Sequence, residues 1–351
     1  MKIKFDDFSY YPALRTRPAE IEGYSELREL TKNKLVPIMT LGAWPKAEGL
    51  AESIGKLISA VGDRPCIVDL TRESLYQNNE LKNLLNPDSN FKSWCDFIKS
   101  HSNFIPTIQI VQEAKQSQII RQTRLLETIG LNKVAFRITD YTNDTTKVIN
   151  AISAMDSPEN ALIIIDAGYI RETMAASIAA CVAAINEIRD EIPEAIITII
   201  STSYPSTVTP FLDVNSDRKS GIINILEREL HQAIGVDAAI YGDHSSIHSK
   251  VYVATGGKYT PQIEYPLFDA WAIERRPGLD GDGYIETAKA LTMKYPEILD
   301  EDYWGSKKII NVASGNNNGM KVRSKWIAAR VNIHIEKQLE LSVMDALDED
   351  F

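Results

Sequence analysis

The feature that most constrains this chain is a repeating alternation. Short apolar runs rich in β-branched residues alternate with longer stretches of helical period. Eight such runs occur: 10–15 (YYPALR), 35–41 (LVPIMTL), 66–70 (CIVDL), 104–111 (FIPTIQIV), 133–138 (KVAFRI), 161–166 (ALIIID), 195–201 (AIITIIS) and 238–241 (AAIY). Runs this continuously apolar suit strands covered on both faces, as in a parallel sheet. Between them, 171–190 carries Met174, Ile178, Cys181, Val182, Ile185 and Ile188 on one helical face. Segments 111–131 and 220–235 show similar apolar periodicity, the second ending at Gly235. Successive βα units of this number predict an α/β fold: a (β/α)8 TIM-like barrel. A doubly wound open sheet is the alternative, but no GxGxxG follows any strand.

The eighth unit breaks the pattern. After the run ending at Tyr241, the next strong helix is 324–341, with Ile327, Val331, Ile335 and Leu339 at every fourth position. Roughly 80 residues intervene, against the ~2–6 of an ordinary βα loop. Within them, 262–268 and 269–275 read as an antiparallel pair and 285–295 as a short helix. The expected organisation is therefore barrel strands in 1–242, a long α+β insertion over the C-terminal mouth in 243–324, and the last barrel helix with an acidic, frayed tail in 325–351.

Composition narrows the function classes. The 351 residues carry 38 Lys+Arg and 48 Asp+Glu, a net charge of −10. That argues against a surface wholly devoted to polyanions, so nucleic acid is the less favoured partner. Cys66, Cys95 and Cys181 are odd in number and form no CxxC pair, so neither a disulfide framework nor a zinc cluster is expected. The start, MKIKFDDFSYY, lacks the apolar core of a signal peptide, and no run is long enough to span a membrane. A cytoplasmic setting without membrane contact is expected. No GxSxG, HExxH, EF-hand or P-loop pattern occurs.

In a barrel, polar residues at strand C-termini gather in the mouth. They are Arg15 and Arg17 after the first strand, Thr40 and Trp44 after the second, Asp69 and Arg72 after the third, and Gln109 after the fourth. The fifth gives Arg137 and Asp140, the sixth Asp166, the seventh Ser201 and Ser203, and the eighth Tyr241, Asp243, His244 and His248. Guanidinium groups recognise carboxylate or phosphate, and carboxylates serve as acid, base or ligand. Two readings stand side by side: satisfied ion pairs that close the barrel end, or a site. On the second reading Asp69, Asp166, Asp243 and His244 are the catalytic candidates. Arg15, Arg17, Arg72, Gln109, Arg137, Ser201 and Tyr241 are the ligand-binding candidates.

The stretch YGDHSSIHSK (241–250) is the densest chemical cluster. Asp243 and His244 suggest an acid–base pair; His244 and His248 have the H-x3-H spacing of metal ligands, but Gly242 and the serines place them in a loop, so no metal is assigned. The segment 305–325 holds Lys307, Lys308, Lys321, Arg323 and Lys325 without an acid, around SGNNNG. It predicts a mobile basic loop, with Lys307 and Lys308 as further ligand-binding candidates. His101, His231 and His334 are expected to be structural, and Trp271 and Trp304 to line a pocket or the core.

The opening YYPALRTRPAEIEGYSELRELTKNKLVPIMTL resembles that of the Beta protein family of bacteriophages and bacterial mobile elements, through Tyr11, Pro12, Leu14, Arg15, Glu20, Tyr24, Leu27 and Pro37. The YGDH segment, Tyr241 to His244, is similar to the family's Tyr-Gly-Asp-Tyr/His element. KWIAARVNIHIEKQL is similar to its last helix, through Trp326, Asn332 and His334. The resemblance implies a barrel-like α/β fold and a link to phage or anti-phage gene clusters. It carries over no reaction and no cofactor. Two functions are thus expected. One is an antiviral-defence or phage-related protein that binds, and as an enzyme hydrolyses, an anionic, phosphorylated or nucleotide-like small molecule. The other is a non-catalytic component that binds a protein partner encoded by a neighbouring gene.

Overall fold

The computed structural model describes residues 3–44, 49–213, 219–251, 260–276 and 282–348. Eleven strands occur among them: β1 (Tyr10–Arg15), β2 (Ile38–Leu41), β3 (Cys66–Leu70), β4 (Phe104–Pro106), β5 (Val134–Ile138), β6 (Ala161–Tyr169), β7 (Ile196–Thr202), β8 (Lys219–Asn224), β9 (Ile240–Asp243), β10 (Gln262–Pro266) and β11 (Ala270–Arg275). The residues form two compact units.

The first unit comprises Met1–Arg17, Lys34–Ser201 and Glu227–His244. Eight strands form one sheet in the order β4-β3-β2-β1-β9-β7-β6-β5. The pairings are parallel, for example Ala13 with Ile38, Ile67 with Ile105 and Tyr11 with Gly242. The two ends of the sheet meet in a parallel bridge, Thr107 with Ala135, where the Ile108 N–H also donates to the Ala135 carbonyl at 2.7 Å. The result is a nearly closed, barrel-like parallel sheet. Helices connect its strands, among them Leu50–Val61, Gln116–Glu127, Tyr141–Ile152 and Met174–Glu191. The eight expected strands all form. The fourth is shorter than the run 104–111: it spans Phe104–Pro106, after which Thr107 still donates to the Val68 carbonyl and bridges to Ala135.

Strand alternation sorts the side chains. Tyr11, Ala13, Val36, Ile38, Ile67, Ile105, Ala135, Leu162, Ile164 and Ile200 form one buried cluster on a single face of the sheet. The period of two fixes the other face, which packs on helices. Gly242 belongs to the clustered face. A Cβ there would lie 2.7 Å from Ile200 Cγ2 and 2.9 Å from the Tyr11 carbonyl, so the closeness of neighbouring strands demands glycine.

The second unit comprises Pro18–Asn33, Thr202–Leu226 and Ser245–Phe351. It contains an antiparallel sheet, β10-β11-β8, and the helices Pro18–Ser25, Gly283–Lys294, Trp304–Ala313 and Arg323–Asp348. Trp326, stacked on Tyr284 at 5.4 Å, sits in an apolar cluster with Ile309, Val312 and Ile333. This grouping differs from the expected division at 242 and 324. The C-terminal helix packs within the second unit, against Pro18–Ser25, Trp304–Ala313 and β10, and is not assigned to the barrel. It runs to Asp348, and the tail residues 349–351 lie outside the described residues.

Two further expectations are corrected. The predicted helix over 220–235 is a strand, β8, followed by a helix at Glu227–Ile234. Ile223 is buried while Ile222 is 50% exposed, so this stretch has the period of a strand. The basic stretch 305–325 is not one mobile loop. Lys307 and Lys308 lie on the helix Trp304–Ala313, and Lys307 pairs with Asp302 at 2.5 Å. Lys325 pairs with Glu22, and Arg323 with the buried Glu264. The expected antiparallel pair does form, as β10 and β11, with β8 added along β11.

Candidate functional site

Along the clustered face, the apolar pattern ends in charge. One step beyond Ala13, Ile38 and Ile67 come Arg15, Thr40 and Asp69, which stand in register across β1, β2 and β3. The same alternation brings Arg137 after Ala135, Asp166 after Ile164 and His244 after Gly242. The strands thus deliver a polar layer at their C-terminal ends.

Arg137 is its centre. Nη2 and Nε donate to Asp166 Oδ2 at 2.7 and 3.1 Å, and Nη1 donates to Asp69 Oδ2 and Thr40 Oγ1, both at 3.1 Å. Asp166 Oδ1 meets His244 Nε2 at 2.9 Å and accepts the Gly168 N–H at 2.9 Å. Gly168 has φ of +63°, a turn that aims its N–H back at the carboxylate. Asp69 Oδ1 accepts from the Leu70 N–H at 2.8 Å. A continuous chain results: Asp69–Arg137–Asp166–His244.

The electrostatics follow from this packing. Burial alone would raise the Asp166 carboxyl; His244 and Arg137 overcome it and hold the group far below the usual carboxylate range. Burial likewise opposes the Arg137 charge, but Asp166 and Asp69 more than offset it. Asp166 already accepts four hydrogen bonds, which fills its two oxygens. It therefore orients and charges its neighbours and has no lone pair left for a substrate. His244 is different. Its Nδ1 makes no hydrogen bond among the described residues and is not a sealed, orphaned atom.

Other candidates fall around this layer. Arg72 is exposed by surface area, yet the packing around its guanidinium pushes its pKa down, a shift that Asp69 and Asp144 oppose and Arg137 reinforces. Arg15 and Arg17 are half-buried. Gln109 is buried beyond β4, where its backbone pairs with the Gln122 amide and its Nε2 donates to the Thr107 carbonyl at 2.8 Å. Ser201 lies on the opposite face, and its carbonyl accepts the His244 N–H at 3.0 Å.

The expected Asp243–His244 acid–base pair does not form. Consecutive strand residues face opposite ways, so Asp243 turns from the charged layer. It accepts from Tyr10 Oη at 2.7 Å and Tyr241 Oη at 3.2 Å, while Arg228 stacks over Tyr241 at 4.2 Å. Tyr241 and Asp243 are thereby parts of a buried cluster behind the strand. Asp140 caps the helix Tyr141–Ile152 through the Asn143 N–H, and Trp44 donates to Thr16 Oγ1 at 2.8 Å.

In the second unit, Ser203 accepts from the Leu226 N–H and His248 from the Lys250 N–H. Lys307 and Lys308 belong to this unit, as do Trp271 and Trp304, which sit in or against its apolar clusters. His334 stacks on Trp271 at 5.9 Å. His101 stacks on Phe104, and His231 meets the Ala239 carbonyl at 2.7 Å. No group of three His, Cys, Asp or Glu residues is poised for a metal among the described residues.

The structure also brings in residues that sequence reading passed over. Beside Asp166 a cleft of about 360 Å³ is lined by Thr139, Tyr141, Gly168 and Ser177, among others. For Thr139, Tyr141 and Gly168 the one legible signal was position just after the fifth and sixth apolar runs, while Ser177 lies on the helix Met174–Glu191. The second unit holds a buried network of Glu264 with Arg323, Arg330 and Tyr204, in which Arg330 Nη1 lies 3.2 Å from Glu264. No sequence motif announces it.

Fold and site together define an α/β protein with a barrel-like parallel sheet and a charged layer at its strand ends. The chain belongs to the Beta protein family, whose model matches residues 10–340. It is 45% identical over 343 residues to Protein beta of Enterobacteria phage P4, covering 97% of this chain and 96% of that protein. No solved structure matches. No helix among the described residues is long and apolar enough to cross a membrane.

Proposed function

We propose that the eight-stranded sheet is a (β/α)8 barrel of the TIM type whose C-terminal mouth binds a small anionic ligand, phosphorylated or nucleotide-like, and hydrolyses it. The observation that carries this reading is the chain Asp69–Arg137–Asp166–His244, which ends on a ring nitrogen without a hydrogen bond among the described residues. At or just past the ends of β1, β3 and β5 stand Arg15, Arg17, Arg72 and Arg137, against Asp69, Asp140 and Asp166 at the ends of β3, β5 and within β6, and the excess of guanidinium groups favours an anion. Arg137 is neutralised by its carboxylates, so recognition falls to Arg72, Arg17 and Arg15. Asp166 accepts the Nε2 proton and leaves Nδ1 of His244 as the base toward water. The carboxylates position; the imidazole transfers the proton. The relative comes from a phage, and that context forms no part of the chemical argument.

The test is thermal stabilisation of the wild-type protein by a panel of nucleotides, phosphate esters and inorganic phosphate, repeated with Arg72→Ala and His244→Ala. Arg72→Ala should weaken stabilisation, and His244→Ala should remove hydrolysis of a stabilising ester while leaving its binding. No stabilisation of the wild type by any anion overturns the reading.

A further inference from the structure

The cleft beside Asp166 has a chemistry unlike the rest of the strand ends. About 360 Å³ in volume, it is lined by Thr139, Tyr141, Asp166, Gly168, Ser177 and Ala180. That size accommodates a sugar or a nucleoside-sized group. Its lining offers hydroxyls, glycine and alanine surface, and one carboxylate, but no cation. The carboxylate already accepts bonds from Arg137, His244 and Gly168. An anionic group in the cleft would find no cation in the lining to hold it. A hydroxyl-bearing group would meet the Thr139 hydroxyl, the Tyr141 oxygen as an acceptor, and Ser177, whose Oγ shares one hydrogen bond with Thr173 Oγ1 at 3.1 Å. The Tyr141 hydroxyl is held at 3.2 Å from the Asp166 carbonyl, which fixes its direction. Alanine and glycine walls let a ring lie close to the backbone. Asp166 lines the cleft and touches His244, so a group seated there has its next atoms beside the imidazole.

We propose that this cleft seats the uncharged, hydroxyl-bearing part of the ligand, a sugar-sized ring, while the ligand's anionic end is held by Arg72. The proposal rests on the mouth being the ligand site, and it adds the class of ligand: a sugar phosphate or nucleotide in preference to a bare anion. The cleft makes the neutral half of the molecule the discriminating half.

The experiment compares ribose 5-phosphate, inorganic phosphate and methyl riboside by titration calorimetry on the wild type, Ala180→Phe and Arg72→Ala. Ala180 is a half-buried lining residue outside the charged chain, and Phe there fills the cleft. The wild type should bind ribose 5-phosphate at least about tenfold more tightly than phosphate, the worth of one or two hydrogen bonds. Ala180→Phe should bring the two together without changing phosphate affinity, and Arg72→Ala should weaken both. Ser177→Leu, which obstructs the same cleft from the next turn, should repeat the Ala180→Phe result if that variant misfolds. Equal affinities in the wild type, or equal loss of both in Ala180→Phe, overturn the cleft assignment alone. Binding of methyl riboside that Ala180→Phe abolishes, with no effect of phosphate, upholds the cleft and overturns the anion site. No binding of any probe overturns both.

Discussion

Replacing Arg137 by Met keeps the aliphatic stem and deletes the cation between two buried carboxylates. The guanidinium makes two hydrogen bonds to Asp166, one to Asp69 and one to Thr40. In the variant Asp166 keeps His244 and Gly168, but Asp69 Oδ2 loses its ion pair. Removing one member of a buried ion pair costs about 3–5 kcal/mol. At about 1.4 kcal/mol per decade, amide opening should accelerate by roughly two to three and a half orders of magnitude. Hydrogen exchange read by mass spectrometry on peptides covering β3, β5 and β6 reports this unit alone. The double variant Asp69→Asn with Arg137→Met should recover part of the loss, because one uncompensated charge is gone. An acceleration below about threefold at neutral pH would refute the accounting. So would a double variant no more protected than Arg137→Met.

Three other outcomes follow from the same geometry. Gly242→Ala should destabilise by about 1–3 kcal/mol, because the new Cβ meets Ile200 Cγ2 and two strand carbonyls inside a packed sheet; urea unfolding checks it. Glu264→Gln leaves Arg323 and Arg330 without a carboxylate and should cost about 3–5 kcal/mol, seen as lost exchange protection in β10 and β11. Asp166 and Glu264 are both held below the usual carboxylate range, against burial, by His244 and Arg137 in one case and by Arg323 and Arg330 in the other. Their stabilisation is complete above the unfolded values of about 4 and is lost as pH falls toward the folded ones. Thermal midpoints should therefore drop in acid below about pH 4, and Arg137→Met should show a smaller drop.

The barrel-like sheet was legible because a parallel sheet buries both faces of each strand, which writes long apolar runs into the sequence. The same fact hid which face each residue serves. Tyr10 and Tyr11, or Asp243 and His244, are neighbours in sequence and opposites in space, and only the registers separate them. The charged layer was readable as a list of strand-end residues. Its wiring was not, since Asp69, Arg137 and Asp166 come from three strands whose closeness depends on the sheet curling until Thr107 meets Ala135. The second unit was the least legible. It gathers three separated segments, and β8 carries two adjacent isoleucines that fit helix and strand equally well until β11 pairs beside them.

The position of one proton tests how the charged layer is wired. Asp166 is ionised throughout the neutral range and therefore only accepts, so the 2.9 Å contact requires a proton on His244 Nε2. In the neutral ring that proton excludes one from Nδ1, and the tautomer is set by the partner of the opposite nitrogen. Long-range nitrogen–proton NMR correlations distinguish the two tautomers by the shift of each ring nitrogen. The wild type should show the Nε2–H form, and Asp166→Leu, which offers no acceptor, should mix the two. A dominant Nδ1–H form in the wild type would remove the lone pair assigned to proton transfer, and with it the chemical half of the proposed function. The binding half would stand, because it rests on the guanidinium groups of Arg72, Arg17 and Arg15 and not on the imidazole.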